Sequence, residues 1–540
     1  MKKLFTLLTA ACTSIAAMAT DYNGRLMVVI NGSASPSQEA IISVNAQDNG
    51  KYTLELNNFM LGTGADALGV GNIKLADTEA TTTENGQTNL NTTQNITIAE
   101  GNDPNVGYWL GPMLGVIPVS VNATMDADKT LSAIIDIPFE SMGMNIKVVF
   151  DSKTFHIGNS DFENFHTAKL YSPLEDGSGF DYSSQPATSD EPDYWHSFMS
   201  ASGQPGLVYL AGYTPHTFVS ETVRPGSTGT KSVLLTSSDM GFFGVANGTI
   251  TTGRINTGSI SASDLENHSW SDISTTDKDE KGDPFYSLMG GKPDSLTVWV
   301  KFKQKVPQEK FPYATIKAVI TDGTYYQDPE DKEYTNIIAK ATNNTISSNN
   351  YEWQKITVPF IYDENNNNGK AIHVTISTNA EPGKGSTDSL FVDDLGLVYN
   401  NRLSALTIKG KDIDLTAGTY NPADNSISIK TDDFAGMEIT ESDIQAMTNG
   451  KGAITVMNVT PDKNSTYVTI SVISNDLSSF STYNLMLNGT TGIDTAVNSN
   501  SDNSVKAIYN INGQKAGALR NGQIYIMKYS NGKTVKAIKK

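Results

Sequence analysis

The chain is 540 residues long, with a net charge of −19, 38% hydrophobic residues and one cysteine, Cys12. An acidic balance of this size excludes binding to nucleic acid through its phosphates and suits a neutral or cationic partner. A single thiol excludes an intrachain disulfide framework, so folding must rest on large apolar cores.

Lys2 and Lys3, the apolar run from Leu4 to Ala11 and the small-residue motif Ala17-Met18-Ala19 read as a signal peptide over 1–19, cleaved before Thr20. Cys12 falls inside it, with the leucine of Leu8-Thr9-Ala10-Ala11 one place too far away for a lipidation motif. The mature chain of 521 residues then has no cysteine and a charge of −21. It is expected to be exported, to the periplasm, the outer surface or the medium. No later apolar run approaches the roughly 18 residues that span a bilayer, so no transmembrane segment is expected. At about 150 residues per domain, the length suggests three to four domains.

Short runs that alternate apolar and polar residues, broken by Gly- and Asn-rich turns and lacking a long 3.6-residue period, predict an all-β, multidomain chain. Residues 20–157 form the first block, with strands expected near 25–31, 39–56, 93–98, 117–124 and 130–150 and a polar Thr/Asn-rich stretch at 80–95. This block resembles the calycin-like, lipocalin-type barrels of secreted Bacteroidetes proteins. The Gly-Trp opening of a lipocalin is absent, since Arg25 and Leu26 follow Gly24. Both a ligand cavity and a filled structural barrel stay open.

Residues 158–400 form the second block. Phe162-Glu163-Asn164-Phe165, the stretch Gly229 to Thr236, Gly248 to Gly253, Gly282-Asp283-Pro284-Phe285 and Val392-Asp393-Asp394-Leu395 follow one another in this order. The set resembles the Bacteroidetes family called the putative carbohydrate metabolism domain, which implies a β-jelly roll similar to carbohydrate-binding modules. Residues 401–490 carry strand patterns at Ala405–Ile408, Ser426–Ile429, Tyr467–Val472 and Tyr483–Leu487, spacings that suit an immunoglobulin-like sandwich. A polar linker over 491–505 precedes the tail.

The tail, 506–540, holds eight Lys or Arg and no acid, which leaves −29 on the mature chain before it. Its Asn-Gly pairs at 512–513, 521–522 and 531–532 predict tight hairpins. The pattern is similar to C-terminal sorting domains of type IX secretion, which implies contact with cell-surface or secretion machinery.

Asp393 and Asp394 interrupt an otherwise buried strand, and Glu163 has an apolar setting of its own. A strand pair carrying both could close a hard-cation site. In calcium-bearing jelly rolls such acids meet a turn like Gly229 to Ser232, so the resemblance implies a structural Ca2+ held by Glu163, Asp393 and Asp394. The alternative is that these acids cap loops in solvent. Asp363 to Gly369 starts like a calcium loop but fails on register, with Val374 in place of the bidentate glutamate.

Trp299 is the leading candidate for a carbohydrate platform. Leu296, Val298, Val300 and Phe302 share one face of its strand, so Trp299 points the other way beside Thr297 and Lys301. Tyr194 and Trp195, in a polar loop, are further candidates. Each ring has packing as its alternative role.

No catalytic residue is assigned. The six histidines show no metalloprotease spacing, and nucleophile elbows and phosphate loops are absent. Three readings follow: a secreted, non-catalytic carbohydrate-binding protein; a glycan hydrolase using paired carboxylates in the jelly-roll groove, which needs no local motif; and a surface adhesin or structural β protein without a sugar ligand.

Overall fold

Period-two patterning closes the N-terminal block on itself. Strands Thr20–Ile30, Gln38–Ala46, Tyr52–Leu61, Leu68–Thr82, Thr88–Thr97, Val116–Met125, Leu131–Phe139 and Met144–Asp151 pair antiparallel in chain order. The last then pairs with the first, Leu26 opposite Phe150, which closes an eight-stranded barrel. The computed structural model describes residues 19–62, 67–83, 86–139, 143–364, 368–434, 437–462, 465–488, 505–510, 524–529 and 534–538. The signal peptide through Met18, residues 491–504 of the linker and the three Asn-Gly turns lie outside the described residues.

Leu131, Ala133, Ile135, Ile137 and Phe139 alternate with exposed or half-buried neighbours and meet Ile117, Val119, Val121 and Ala123 of the adjacent strand inside the barrel. Each such side chain contributes roughly 1.5–3 kcal/mol on burial. The segments expected as single strands at 39–56 and 130–150 each fall on two strands. The Thr/Asn-rich stretch at 80–95 is not a connection but part of a strand pair, with Ala80 opposite Leu90. Leu90 points inward and is buried, while Asn91, Thr93, Asn95 and Thr97 are exposed on the outer face. Leu68–Thr82 escaped expectation because of its glycines. At Gly71, φ is +125° and a Cβ would sit 2.1 Å from the Ala99 carbonyl oxygen.

The second block is a two-sheet jelly roll. One sheet runs Thr217–Ser220, Ser232–Thr236, Asp388–Val398, Ser295–Gln304, Gln354–Pro359. The other runs Thr249–Thr251, Ala371–Ser377, Ala314–Thr321, Ile337–Ile346, Ile361–Tyr362. Val233, Leu235, Leu296, Val298, Val300, Phe302, Leu390 and Val392 of the first pack with Ile250, Ile316, Ala318, Val374 and Ile376 of the second. A smaller sheet, containing Arg254–Thr257, Asn267–Ser271 and Tyr326–Asp328, stands beside them. Among the described residues the one α-helix is Pro205–Gly212, with Pro205 at its first position, where a missing N–H costs nothing.

Residues 403–488 form a three-stranded sheet, Lys411–Asp412, Leu403–Ile408, Ile444–Thr448, and a five-stranded sheet, Thr419–Asn421, Ser426–Thr431, Phe480–Asn488, Ser465–Ile473, Ile454–Asp462. The Tyr483 hydroxyl of the second accepts the Leu403 N–H of the first at 3.0 Å. The tail, taken by itself, is an antiparallel meander of Val505–Asn510, Ile524–Tyr529 and Thr534–Ile538.

The barrel is locked to the following domains. Leu26 to Val29 are buried in succession, against strand alternation, because both faces of this strand are covered. Leu26 and Val28 fill the barrel, while Met27 and Val29, with Val149, pack on Val456, Ile473 and Leu477 of the sandwich. The Ser471 hydroxyl donates to the Gly32 carbonyl at 2.7 Å. The sandwich is tied in turn to the jelly roll, where the Asp294 carboxylate accepts the N–H groups of Asn400 at 2.7 Å and Lys451 at 2.8 Å. Met27→Ala should cost about 2–5 kcal/mol, the usual range for a buried methionine. Urea unfolding of the full chain checks it, and a loss below 1 kcal/mol would show that the contact is incidental.

Candidate functional site

The paired acids sit on a β-bulge. The register between Ser295–Gln304 and Asp388–Val398 shifts between Thr297 and Trp299, and Asp394 there takes φ +42°. Asp393, fully buried and opposite Trp299, accepts the Arg224 N–H at 2.9 Å. The Arg224 Nε donates to Asp394, and its guanidinium lies over the Trp299 ring, 5.5 Å from the centroid. Burial holds the Asp393 carboxyl above its ordinary range against the pull of the Arg224 N–H.

Glu163 does meet the Gly229 turn, but with the opposite polarity to a calcium site. Its carboxylate accepts the N–H groups of Thr230 and Lys231, each at 3.0 Å, and the turn offers it no carbonyl oxygen among these contacts. A Cβ on Gly229 would stand 2.1 Å from Glu163 Oε1, so glycine permits the approach. The charge of Asp394 is thus met by the Arg224 guanidinium, and those of Asp393 and Glu163 by backbone donors.

Of the predicted platforms, Trp299 lies off the core as strand alternation requires, half-buried under Arg224. Trp195 corrects the expectation: at 0% exposure it is a core residue, tilted on Phe162 with its Nε1 donating to the Gly158 carbonyl, and offers no face to a sugar. Tyr194 is 48% exposed with φ +66°, held by Asp283, which accepts its N–H.

A cavity of about 260 Å³ lies on the outer face of the second sheet. Its floor is Thr249, Thr315, Lys317, Thr375 and Ser377, which alternate with the core residues Ile250, Ile316, Ala318, Val374 and Ile376. Asn256, Asn267 and Ser269 form one wall, and Met240, Phe243, Leu207 and Ile260 supply apolar surface. Asn247 Nδ2 donates to the Asn379 carbonyl, while its Oδ1 is buried without a partner. The one carboxylate among the described lining residues, Asp328, is paired with Lys317 at 2.7 Å. Beside the cavity, Tyr325 stacks on Trp270 and its hydroxyl lies 3.3 Å from Nε2 of His268, a lining residue. Sequence reading passed over this pair, although the alternation in Asn267–Ser271 sets Trp270 opposite the buried Ser269 and Ser271.

On the same face of the sheet as Thr375 and Ser377, His373 Nε2 shares a 2.8 Å hydrogen bond with Ser269 Oγ. Gly253 lets the ring approach, since a Cβ there would meet His373 Cε1 at 2.5 Å.

A second cavity, also about 260 Å³, is lined in part by His166, Glu191, Arg254, Asp279 and Phe285. His166 and Glu191 face each other across the hairpin Phe165–Leu170 and Ala187–Pro192. His196 is anchored by backbone bonds to Thr251, and Asp279 starts a turn in which its Oδ1 accepts the N–H groups of Gly282 and Asp283. Burial raises the Asp279 carboxyl, but His196, the Asp283 N–H and His166 outweigh it and keep the group below the ordinary carboxylate range. Sequence spacing hid this cluster because its members come from separate loops and strands.

Two predictions follow from these sites. Arg224→Ala should cost about 1–3 kcal/mol by leaving Asp394 without its cation, and millimolar calcium should leave the melting curve of the wild type unchanged. A calcium-dependent rise that Glu163→Gln abolishes would instead give these acids to the ion. The His373 imidazole is lowered by burial to about 4, with Asp328 pulling it up and His268 and Lys317 pushing it down. The unfolded chain, at about 6.5, takes the proton first as pH falls. This contribution to stability is therefore intact above about pH 6.5 and lost on falling toward about pH 4, roughly 3 kcal/mol in all. His373→Gln should flatten that part of the stability profile, read by urea unfolding at several pH values.

No curated protein matches the chain. Among solved structures it is similar to a "putative outer membrane protein" from Bacteroides fragilis NCTC 9343, at 10% identity over 67% of this chain and 97% of that one, with a TM-score of 0.18. It is also similar to the M60 catalytic domain with the CBM51-1 and CBM51-2 domains from Clostridium perfringens ZmpB, at 12% identity over 96% of this chain and 41% of that one, with a TM-score of 0.16. No helix among the described residues is long and apolar enough to cross a membrane. Residues 18–153, the closed barrel, match the calycin-like β-barrel domain family.

Proposed function

We propose that this is an exported, non-catalytic glycan-binding protein whose ligand enters the cavity on the outer face of the second jelly-roll sheet. The observation that carries the reading is the pairing of a hydroxyl-bearing floor and an amide wall with apolar surface in one concavity. A sugar ring presents apolar C–H faces and a periphery of hydroxyls, so its site needs both kinds of surface, with few charges. Asn247 Oδ1, buried and unpartnered, offers an acceptor to a ligand hydroxyl. The acidic charge of the chain is compatible with a neutral ligand.

Paired-carboxylate hydrolysis is disfavoured in this cavity, because Asp328 has no second acid beside it among the described lining residues and is tied to Lys317. A glycan array followed by calorimetry on the full chain tests the proposal. Phe243→Ala and Asn247→Ala should each weaken binding about tenfold, or about 1.4 kcal/mol, while Trp299→Ala leaves it unchanged. Equal binding by wild type and both cavity variants would move the site elsewhere, and no binding to any glycan would favour the adhesin or structural role.

A further inference from the structure

We infer that His166, Glu191, His196 and Asp279 form a binding site for a first-row divalent transition metal, with zinc the best-matched ion. Four buried polar atoms without hydrogen-bond partners converge there: His166 Nε2, Glu191 Oε2, His196 Nε2 and Asp279 Oδ2. His166 Nε2 stands 3.8 Å from Glu191 Oε2 and 3.6 Å from Asp279 Oδ2, and His196 Nε2 stands 3.5 Å from the same Asp279 oxygen. Glu191 and His196 have no exposed surface, and the Asp279 side chain is 1% exposed. Two carboxylate oxygens facing two imidazole nitrogens without a cation would be costly at this depth.

The surrounding bonds orient these atoms. Glu191 Oε1 accepts the Ser197 N–H at 2.7 Å and the Ser200 hydroxyl at 3.0 Å, which leaves Oε2 for the centre. Asp279 Oδ1 likewise accepts two N–H groups and leaves Oδ2. His166 Nδ1 lies 3.2 Å from Asp193 Oδ1, and Lys281 pairs with the other Asp193 oxygen. An ionised carboxylate only accepts, so Nδ1 carries a proton, and the tautomer that would bind a metal presents a lone pair at Nε2. That lone pair points toward two more acceptors, an arrangement that a cation resolves. A carboxylate behind a ligating histidine is the usual support of such a ligand.

Two imidazoles and two carboxylates suit zinc rather than calcium, which takes six to eight oxygens. Tetrahedral zinc at about 2.0–2.2 Å from each donor sets donor separations near 3.4 Å. The separations of 3.5, 3.6 and 3.8 Å are wider than this, and among the described residues no three donors form a finished cage. Binding would require side-chain rotations that draw the four donors together. Four protein donors fill a tetrahedral shell, so the ion would staple the 166–191 hairpin to the turn at 279–283 rather than act on a substrate.

The test uses the untagged full chain, stripped with chelator, then given zinc or cobalt(II) and desalted. The expected result is one zinc retained per chain by elemental analysis, visible d–d bands of tetrahedral cobalt, and a melting temperature that rises with zinc. His166→Ala combined with Asp279→Asn should lose all three signals, while Asp331→Asn keeps them. Folded wild type that retains no zinc and shows no cobalt bands overturns the site, as does equal retention by the double variant. If the double variant does not fold by circular dichroism, the wild-type cobalt spectrum and stoichiometry decide alone. Glycan binding is measured separately, so failure of either proposal leaves the other standing.

Discussion

The jelly roll depends on the pairing of Asp388–Val398 between two strands that precede it by long stretches of chain, Ser232–Thr236 on one side and Ser295–Gln304 on the other. No disulfide can hold these partners together. The pairing must be maintained by the core behind it, where Leu390 and Val392 contact both sheets' side chains. The strand's other face is therefore free to carry charge. That is where Asp393 and Asp394 sit, at a bulge that lets two acids interrupt an apolar run without entering the core.

Polar burial is unevenly distributed among the domains. Among the described residues, the buried side-chain atoms without partners fall in the jelly roll, apart from Asn45 Oδ1 and Thr78 Oγ1 of the barrel. The barrel interior is a continuous apolar cluster. A domain built only for packing can satisfy or avoid such atoms, and their accumulation elsewhere marks where a ligand would repay the desolvation. The barrel and sandwich instead share apolar surface with each other through Met27, Val29, Val456 and Ile473, which suits a supporting role.

The sequence pattern revealed what depends on local alternation. The inward face of Leu131–Phe139, the outward direction of Trp299 and the all-β class all follow from period two. It failed where a distant partner decides the outcome. Trp195 stands in a polar stretch, yet Phe162 and the Gly158 carbonyl bury it. Arg224 gave no sign that it would cover Trp299 and neutralise Asp394. The four residues around Asp279 have no mutual spacing that a motif could describe, because a loop, a turn and two strands each supply one.

One short strand bounds both cavities. In Arg254–Thr257, Ile255, Asn256 and Thr257 line the cavity with the hydroxyl floor, whereas Arg254 lines the other, with its guanidinium 4.4 Å from the Phe285 ring centroid and its Nε donating to the Ser200 carbonyl at 3.1 Å. Ser200 in turn donates to Glu191, and His196 exchanges backbone bonds with Thr251, next to the floor residue Thr249 along the same face. The cluster around Asp279 is thus joined to the cavity wall by hydrogen bonds and a strand. Any coupling between the two cavities would run along these contacts.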